Sequence, residues 1–271
     1  MSFVPGFSVY KKKVNGYLVE IQDNGDHRSL YFASEHLQSR MSLSRPHTLV
    51  LPYTQYMAAS LLLQPKPREI LIVGIGAGSL IRFFSHHFPG CQIDGVDSSP
   101  HILALAHGYF RLQESEQVVL HCRDGLEFLQ DTGGKRYDLI LVDAFDDQGM
   151  APTIYSAPFF ARCSARLNNG GVMSCNLWSS DAPRCRDVKT LIADHFAEAL
   201  YLPVPQRGNI VALAINEADP WPRLAQKGKD LAKLAGRYEI DFKQVLGVAR
   251  ANNMSLSQRL LAFLHNAAGG R

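Results

Sequence analysis

Residues 70–79 read Ile-Leu-Ile-Val-Gly-Ile-Gly-Ala-Gly-Ser, and this stretch decides the fold. Its four apolar residues predict a buried strand, and the glycines at Gly74, Gly76 and Gly78 predict a tight turn into a helix. Such a turn lets a ligand lie against bare backbone amides at the N-terminus of that helix. Asp97 follows at the end of the next apolar run, where a carboxylate can accept hydrogen bonds from two ribose hydroxyls. The stretch therefore predicts a nucleoside site.

The spacing of the glycines narrows the choice of nucleoside. The dinucleotide fingerprint is G-x-G-x-x-G, whereas here the third glycine comes two residues after the second and position 79 is serine. No lysine follows in the place that a phosphate-binding P-loop requires. The form G-x-G-x-G is typical of class I folds that bind S-adenosylmethionine.

Composition and charge exclude several classes of function. The chain has 271 residues, 46% of them hydrophobic, and a net charge of +3 that is spread along its length. We therefore expect neither nucleic acid nor a membrane surface as a partner. No run of 18 apolar residues or signal-type block occurs, and the five cysteines form no C-x-x-C pair. Reduced thiols in a cytoplasmic protein without structural zinc fit this pattern best.

The order of the predicted elements indicates an α/β fold. We predict a small N-terminal antiparallel β-region over residues 1–50, followed by a Rossmann-like nucleoside-binding domain over residues 51–271. Alternating strands and helices in that domain predict a doubly wound, mostly parallel sheet. The predicted strands are 70–73, 92–96, 118–121, 137–142, 172–177, 200–203 and 209–215.

Helices are expected between these strands and at the C-terminus. A stop signal for the fifth of them is predicted at Gly170-Gly171, and breaks in the C-terminal tail are predicted at Gly228 and Gly236. The predicted helices are 52–63, 79–87, 100–110, 125–130, 158–167 and 187–195, with a helical tail from residue 222.

Carboxylates follow several of the predicted strands, where ligands bind in open α/β sheets. Asp124, which precedes Gly125, is open to two interpretations: a cap for the next helix, or an acceptor for an adenine amino group. Asp143, Asp146 and Asp147 lie within five residues of one another after the fourth strand. Their mutual repulsion favours a cationic amine substrate over a solvated loop, and one of them could act as a general base. A metal is disfavoured because the loop has no histidine.

Residues 143–160 resemble the signature of the spermidine synthase (polyamine aminopropyltransferase) family, D-S-[ST]-D-P-x-G-P-A-x-x-L-Y-S-x-x-F-[FY], without a gap. The similarity extends to Asp97-Ser-Ser-Pro, which stands where the family has E-I-D-P, and to the segment 123–129, which matches G-D-G-x-x-F-L. The resemblance implies a homodimeric enzyme that uses decarboxylated S-adenosylmethionine as a substrate, with no metal.

Carried over by position, the resemblance implies a role for each matching residue. Asp146 is the base or amine-orienting carboxylate, Asp143 helps to hold the amine, and Asp97 and Asp124 bind the ribose and the adenine. Tyr53, or Tyr56 after a one-residue shift, corresponds to the tyrosine of the family's Y-x-E-M segment. The full set of predicted cofactor-binding residues is Gln38, Gly74, Gly76, Ala77, Gly78, Asp97, Asp124, Gly125 and Asp143, and the predicted substrate-binding residues are Tyr53, Asp146, Asp147 and Tyr155.

Several departures from the family pattern fall in the amine half of the site. Ala77 replaces an aspartate that binds the aminopropyl amine, Asp147 replaces a proline, and Arg207 stands near a site meant for a cation. Three hypotheses therefore stay open. They are aminopropyl transfer to an amine such as putrescine, methyl transfer from intact S-adenosylmethionine to an unknown acceptor, and a non-catalytic nucleoside-binding protein.

Overall fold

In the computed structural model, residues 6–14, 16–32, 36–131, 133–146, 149–227 and 230–254 are described. The N-terminal sheet consists of four antiparallel strands in sequential order, β1 (Phe7–Val14), β2 (Tyr17–Asn24), β3 (His27–Phe32) and β4 (His36–Ser42). The strands that follow are β5 (Glu69–Val73), β6 (Gln92–Asp97), β7 (Val118–Cys122), β8 (Tyr137–Val142), β9 (Phe145–Asp146), β10 (Gly149–Met150), β11 (Leu167–Trp178), β12 (Glu198–Pro203) and β13 (Asn209–Ile215).

The larger sheet has the strand order β12-β13-β11-β8-β5-β6-β7. Its pairs are parallel except those that involve β13, which runs antiparallel to both β11 and β12. The chain fills one side of β5 with β6 and β7 and then crosses to the other side with β8, so the strand order reverses beside β5. The predicted doubly wound, mostly parallel sheet is confirmed, and its topological switch point lies at the carboxyl ends of β5 and β8.

Helices cover both faces of this sheet. They are α1 (Pro52–Met57), which continues as a 3₁₀ turn (Ala58–Leu62), α2 (Ser79–His87), α3 (Pro100–Phe110), α4 (Gly125–Asp131), α5 (Ala157–Arg166), α6 (Ala182–His195), α7 (Trp221–Lys227), α8 (Leu231–Tyr238) and α9 (Phe242–Asn253).

Each strand of the sheet centre contributes side chains to two cores. Ile70 and Ile72 of β5 pack in one buried cluster with Phe83 and Phe84 of α2. Leu71 and Val73 alternate with them and pack in a second cluster on the opposite face. A third cluster joins the N-terminal sheet to the glycine turn, and its fully buried members are Val19, Ile21, Leu30, Met41, Ala77 and Phe110. This third cluster fixes β4 above the turn that follows β5.

Several predicted boundaries were wrong, and β11 begins at Leu167 instead of residue 172. The fifth helix ends at Arg166, and Gly170-Gly171 lie inside β11, where the register against β8 shifts between Leu167 and Val172. The sixth helix begins at Ala182 instead of residue 187, because the Asp181 side chain accepts a hydrogen bond from the Arg184 amide (3.1 Å).

A further error concerns the helical tail. Gly236 lies within α8 and does not break it, since a single glycine in a packed helix costs only about 1 kcal/mol. The break predicted at Gly228 lies outside the described residues.

Candidate active site

A cavity of about 740 Å³ opens at the carboxyl ends of the parallel strands. Its walls come from β4, α1 and the loops that follow β5, β6, β7, β8 and β11, and from the turn between β12 and β13. Of the predicted site residues, the cavity is lined by Gln38, Tyr53, Gly74, Gly76, Asp97, Asp124, Gly125 and Asp143. The topology therefore brings together side chains that lie more than 100 positions apart in the sequence.

The glycine turn after β5 makes close backbone contacts that larger residues would prevent. Gly74 has a φ of +86°, and a Cβ atom there would lie 2.1 Å from the carbonyl oxygen of Asp143. Gly76 has a φ of +52°, and a Cβ atom there would lie 2.7 Å from the Ser39 hydroxyl oxygen. Both positions require glycine because of their conformation and because of their neighbours.

The other two residues of the predicted glycine loop face away from the cavity. Ala77 is fully buried in the apolar cluster beneath β4, and its amide donates to the Ser39 hydroxyl (3.2 Å). Gly78 is the left-handed residue at the start of α2 and lies against Leu112. Neither residue lines the cavity, and the ligand contact that the sequence suggests for Ala77 stays a prediction.

Asp97 ends β6 with its carboxylate held by backbone amides. One oxygen accepts from the amide of Ile75 in the glycine turn (3.0 Å), and the other accepts from the amide of Ser99 (2.9 Å). Burial raises the pKa of this carboxyl, although these backbone hydrogen bonds oppose the rise. A carboxylate oxygen can accept more than one hydrogen bond, so the arrangement fixes the side chain and leaves acceptor capacity for ligand hydroxyls.

Asp124 caps the next helix, as one of its two interpretations predicts, and it also lines the cavity. Its Oδ1 accepts from the amides of Leu126 (2.8 Å) and Glu127 (3.3 Å), which caps α4. Its Oδ2 accepts from the Thr153 hydroxyl (2.8 Å), and both Asp124 and Thr153 line the cavity. The cap therefore orients a carboxylate that also forms part of the wall. We call Gly74, Gly76, Asp97 and Asp124 the glycine-loop end of the cavity.

Asp143 follows β8 and is held by side chains instead. Its Oδ1 accepts from the Asn176 amide (2.8 Å), and its Oδ2 accepts from the Tyr53 hydroxyl (3.0 Å). The Asn209 amide in turn donates to the Asn176 side-chain oxygen (3.0 Å). Burial raises the pKa of Asp143 to about 6, although the Asn176 and Tyr53 hydrogen bonds oppose that rise. We call Tyr53, Asp143, Asn176 and Asn209 the amide end of the cavity.

Tyr53 joins the amide end to the N-terminal sheet. Its hydroxyl lies 3.1 Å from the backbone oxygen of Gln38 and 3.0 Å from Asp143. Burial and the neighbouring carboxylate raise the pKa of Tyr53 well above its ordinary value, so the hydroxyl stays protonated and serves as a donor. The alternative residue, Tyr56, is buried in the core and does not line the cavity.

The remaining predicted substrate residues have different positions. Tyr155 is 1% exposed and donates to the backbone oxygen of Asn176 (2.7 Å), so it supports the wall from below and does not line it. The backbone of Asp146 lies in β9 and pairs with Gly149 of β10. The Asp146 side chain and the whole of Asp147 lie outside the described residues.

Sequence reasoning missed Ser39, Asn176, Asn209 and Thr153. Asn176 carried a usable signal in the sequence, since it is a polar residue near the end of an otherwise apolar strand. In the structure it is only 2% exposed. A buried amide must find hydrogen-bond partners, and the nearest end of a neighbouring strand supplies Asp143. Ser39 and Thr153 carried no such signal, because single hydroxyls on strands and loops are common.

Two kinds of feature are absent from the described part of the chain. No group of three or more His, Cys, Asp or Glu side chains there is arranged to hold a metal ion. Among the same residues, no helix is both long and apolar enough to cross a membrane.

Comparison with known proteins places the chain in a family. The spermine/spermidine synthase domain matches residues 51–199. The polyamine aminopropyltransferase of Neisseria meningitidis serogroup A is 31% identical over 237 residues, which cover 87% of this chain and 90% of that protein. The chain belongs to the spermine/spermidine synthase family.

Solved structures agree with this family at the level of the fold. A spermidine synthase determined in complex with the transition-state analogue AdoDATO superposes with a TM-score of 0.72 at 14% identity, covering 92% of this chain and 86% of that one. Human methyltransferase-like protein 13, determined in complex with SAH, superposes with a TM-score of 0.58 at 24% identity, covering 67% and 88%. The chain therefore has the fold that aminopropyltransferases of this family share with methyltransferases.

Proposed function

We propose that the protein transfers the aminopropyl group of decarboxylated S-adenosylmethionine to an amine acceptor such as putrescine. One observation carries the proposal: Asp97 and Asp143 lie in the same cavity, on either side of the glycine turn at the switch point. Strands lie about 4.8 Å apart, and β6 and β8 flank β5, so the two carboxylates stand roughly 10 Å apart along the sheet edge. That spacing suits a ribose at one carboxylate and an amine at the other.

The chemistry requires orientation more than activation. The acceptor nitrogen attacks the methylene group next to the sulfonium, the carbon–sulfur bond breaks, and its electron pair returns to sulfur. The products are an N-aminopropyl amine, methylthioadenosine and one proton. Holding both substrates in line lowers the entropic part of the barrier, and a carboxylate near the nitrogen can accept the proton.

The roles of individual residues are part of this proposal. Asp97 binds the ribose hydroxyls, Asp124 accepts from the adenine amino group, and Gln38 contacts the nucleoside from β4. Asp143 holds the acceptor amine, and Asp146 receives its proton. The charge of Asp143 is available only when the carboxyl is ionised, so a pKa of about 6 makes amine binding depend on pH in the neutral range.

The test measures both products with purified protein. Decarboxylated S-adenosylmethionine and putrescine should yield methylthioadenosine and a propylamine adduct of putrescine in equal amounts, by chromatography and mass spectrometry. Asp146→Asn should lower kcat, whereas Lys243→Glu, on the exposed face of α9, should not. Nucleoside binding without turnover, with any diamine, would contradict the proposal and favour a non-catalytic protein.

Methyl transfer from intact S-adenosylmethionine is the second candidate. Ala77 supports it, because the chain lacks the aspartate that would repel a methionine carboxylate near the glycine loop. The buried position of Ala77 weakens this support, since the side chain opens no extra space in the cavity. Tighter binding of the decarboxylated donor than of S-adenosylmethionine would exclude the second candidate.

We also propose a cytoplasmic homodimer. Phe7 supports an interface at the N-terminal sheet, because it lies at the start of the edge strand β1 and is 73% exposed. Sedimentation of the purified protein should give a mass of two chains, and Phe7→Ser should shift it toward one chain. A monomeric wild type would contradict this part of the proposal.

A further inference from the structure

Arg207 is a cation in the wall of a cavity proposed to bind a cationic amine. It lies in the turn between β12 and β13, and its exposed side chain lines the cavity together with Trp178 and Asn209. The family resemblance offers no role for it. A guanidinium beside the acceptor site would repel a plain diamine, so its presence needs a chemical reason.

The turn that carries Arg207 is held in place by specific contacts. The Arg207 amide donates to the carbonyl of Val204 (3.1 Å). The preceding residue, Gln206, has a φ of +57°, a left-handed conformation that is uncommon for residues other than glycine and that marks a tight turn here. The amide and the hydroxyl of Ser179 both donate to the carbonyl of Gly208 (2.7 and 3.0 Å). Ser179, the residue after β11, therefore anchors the turn and fixes the position of the Arg207 backbone.

The other arginine that lines the cavity differs from Arg207 in its pairing. Arg123 donates to Asp131 (2.7 Å), so much of its charge is already compensated within the protein. Within the described ranges of the chain, by contrast, no carboxylate lies within ion-pair distance of the Arg207 guanidinium. Among those residues, the charge of Arg207 is therefore not compensated by a carboxylate.

The sheet topology places Arg207 at the acceptor side. The turn follows β12 and leads into β13, whose first residue, Asn209, lies opposite Trp178 at the end of β11. Two strand intervals separate β8 from β13, so the turn stands roughly 10 Å beyond Asp143 and twice as far from Asp97. In the proposed arrangement, Arg207 therefore lies nearer to the acceptor amine at Asp143 than to the ribose at Asp97.

We propose that Arg207 binds a carboxylate of the acceptor and that the acceptor is an α,ω-diamino acid. This inference rests on the proposed function and names its substrate class. A planar guanidinium donates two parallel hydrogen bonds to a carboxylate. Asp143 faces the ω-amine at the other end of the same short molecule, and Asn176 and Asn209 line the wall between them.

The bonds that form and break are the same as in aminopropyl transfer to putrescine. The ω-nitrogen of the diamino acid forms the new bond to the propyl carbon, the carbon–sulfur bond breaks toward sulfur, and the nitrogen releases one proton. The products are an N-(3-aminopropyl) diamino acid and methylthioadenosine. The carboxylate takes no part in bond making and serves only to position the acceptor.

The test compares two acceptors that differ only in the carboxylate. L-ornithine and putrescine are each supplied with decarboxylated S-adenosylmethionine, and release of methylthioadenosine gives kcat/KM. Wild type should prefer ornithine at least about tenfold, and Arg207→Glu should lower kcat/KM for ornithine by about 10- to 100-fold, as expected for a lost charged hydrogen bond. The same variant should raise kcat/KM for putrescine, because a carboxylate replaces the guanidinium that repels a plain diamine. Arg207→Lys should lie between, since it keeps the charge and loses the bidentate geometry.

Controls separate this inference from the function on which it rests. Lys243→Glu makes the same charge change on α9, away from the cavity, and should not alter the ratio of the two acceptors. A wild type that prefers putrescine, or an effect of Arg207→Glu that is equal for both acceptors, overturns the carboxylate subsite and leaves aminopropyl transfer standing. A wild type that releases no methylthioadenosine with either acceptor overturns the proposed function and this inference with it.

Discussion

The two ends of the cavity hold their carboxylates by different means. At the glycine-loop end, Asp97 and Asp124 accept from backbone amides that lie within about 25 positions of them in the sequence. At the amide end, Asp143 accepts from Tyr53 and Asn176, which belong to α1 and β11. Backbone amides are present whatever the side chains are, whereas a side-chain network changes with each substitution. This difference explains how one fold can keep the same nucleoside substrate while the amine substrate changes.

The same contrast decides what the sequence could predict. The glycine turn and Asp97 form one local strand–turn–helix–strand pattern, so their meeting follows from spacing alone. The amide end depends on which strands become neighbours, and Asn176 meets Asp143 only because β11 pairs with β8. The packing of Ala77 was hidden from the sequence for a related reason: the pattern fixes the loop but not which of its side chains face the N-terminal sheet.

Gly74 is the point where the two ends touch, and its replacement should have the largest effect. In Gly74→Ala the new Cβ would meet the carbonyl of Asp143 at 2.1 Å in a left-handed conformation, so we expect a loss of about 4 kcal/mol or more in the free energy of unfolding. Urea denaturation measures it. Gly236→Ala, in open space on α8, should instead stabilise by about 1 kcal/mol. Equal effects at the two glycines would refute the close contact between the ends.

Asp143→Asn tests the charge at the amide end. The new side-chain amide can keep both hydrogen bonds, because it accepts from Asn176 and donates to the Tyr53 oxygen. The Tyr53 hydroxyl then donates to the backbone carbonyl of Gln38. We expect kcat/KM for the amine to fall by about 100-fold or more, since a buried cation loses its counter-charge. Methylthioadenosine affinity should stay within about threefold by calorimetry. A parallel loss of nucleoside affinity would show that the ends are not separate.

The same variant makes a signed prediction for pH. The folded-state pKa of Asp143, about 6, lies above its ordinary value of 3.8, so the ionised carboxyl disfavours folding above pH 6 and this penalty disappears as the pH falls toward 4. Asp143→Asn should therefore be more stable than wild type at pH 8, by roughly 1–3 kcal/mol. The gain should vanish near pH 4 in chemical denaturation. A gain that grows at low pH would contradict the assignment.

Asp97→Asn tests the glycine-loop end with a smaller expected effect. Replacing the charge removes the strong acceptor for the ribose hydroxyls and weakens the hydrogen bonds from Ile75 and Ser99. Methylthioadenosine affinity should fall by about 10- to 30-fold, which corresponds to about 2 kcal/mol. The KM of the amine should change little. An unaltered affinity for methylthioadenosine would show that Asp97 does not bind the ribose hydroxyls.

Tyr53→Phe should have the smallest effect of the four substitutions and reports on the network itself. The Tyr53 hydroxyl lowers the pKa of Asp143, so its loss should move the acidic limb of the pH–kcat/KM profile to higher pH. At pH 8 we expect only a few-fold loss of kcat/KM, about 1 kcal/mol. A profile that keeps its position would mean that the carboxyl of Asp143 does not control the acidic limb.

The most direct measurement is a calorimetric titration of the wild-type protein with decarboxylated S-adenosylmethionine and, separately, with S-adenosylmethionine. We expect one site per chain and tighter binding of the decarboxylated donor, because the carboxylates of Asp97, Asp124 and Asp143 line the cavity and would repel the carboxylate of intact S-adenosylmethionine. Tighter binding of intact S-adenosylmethionine, or no binding of either compound, would contradict it.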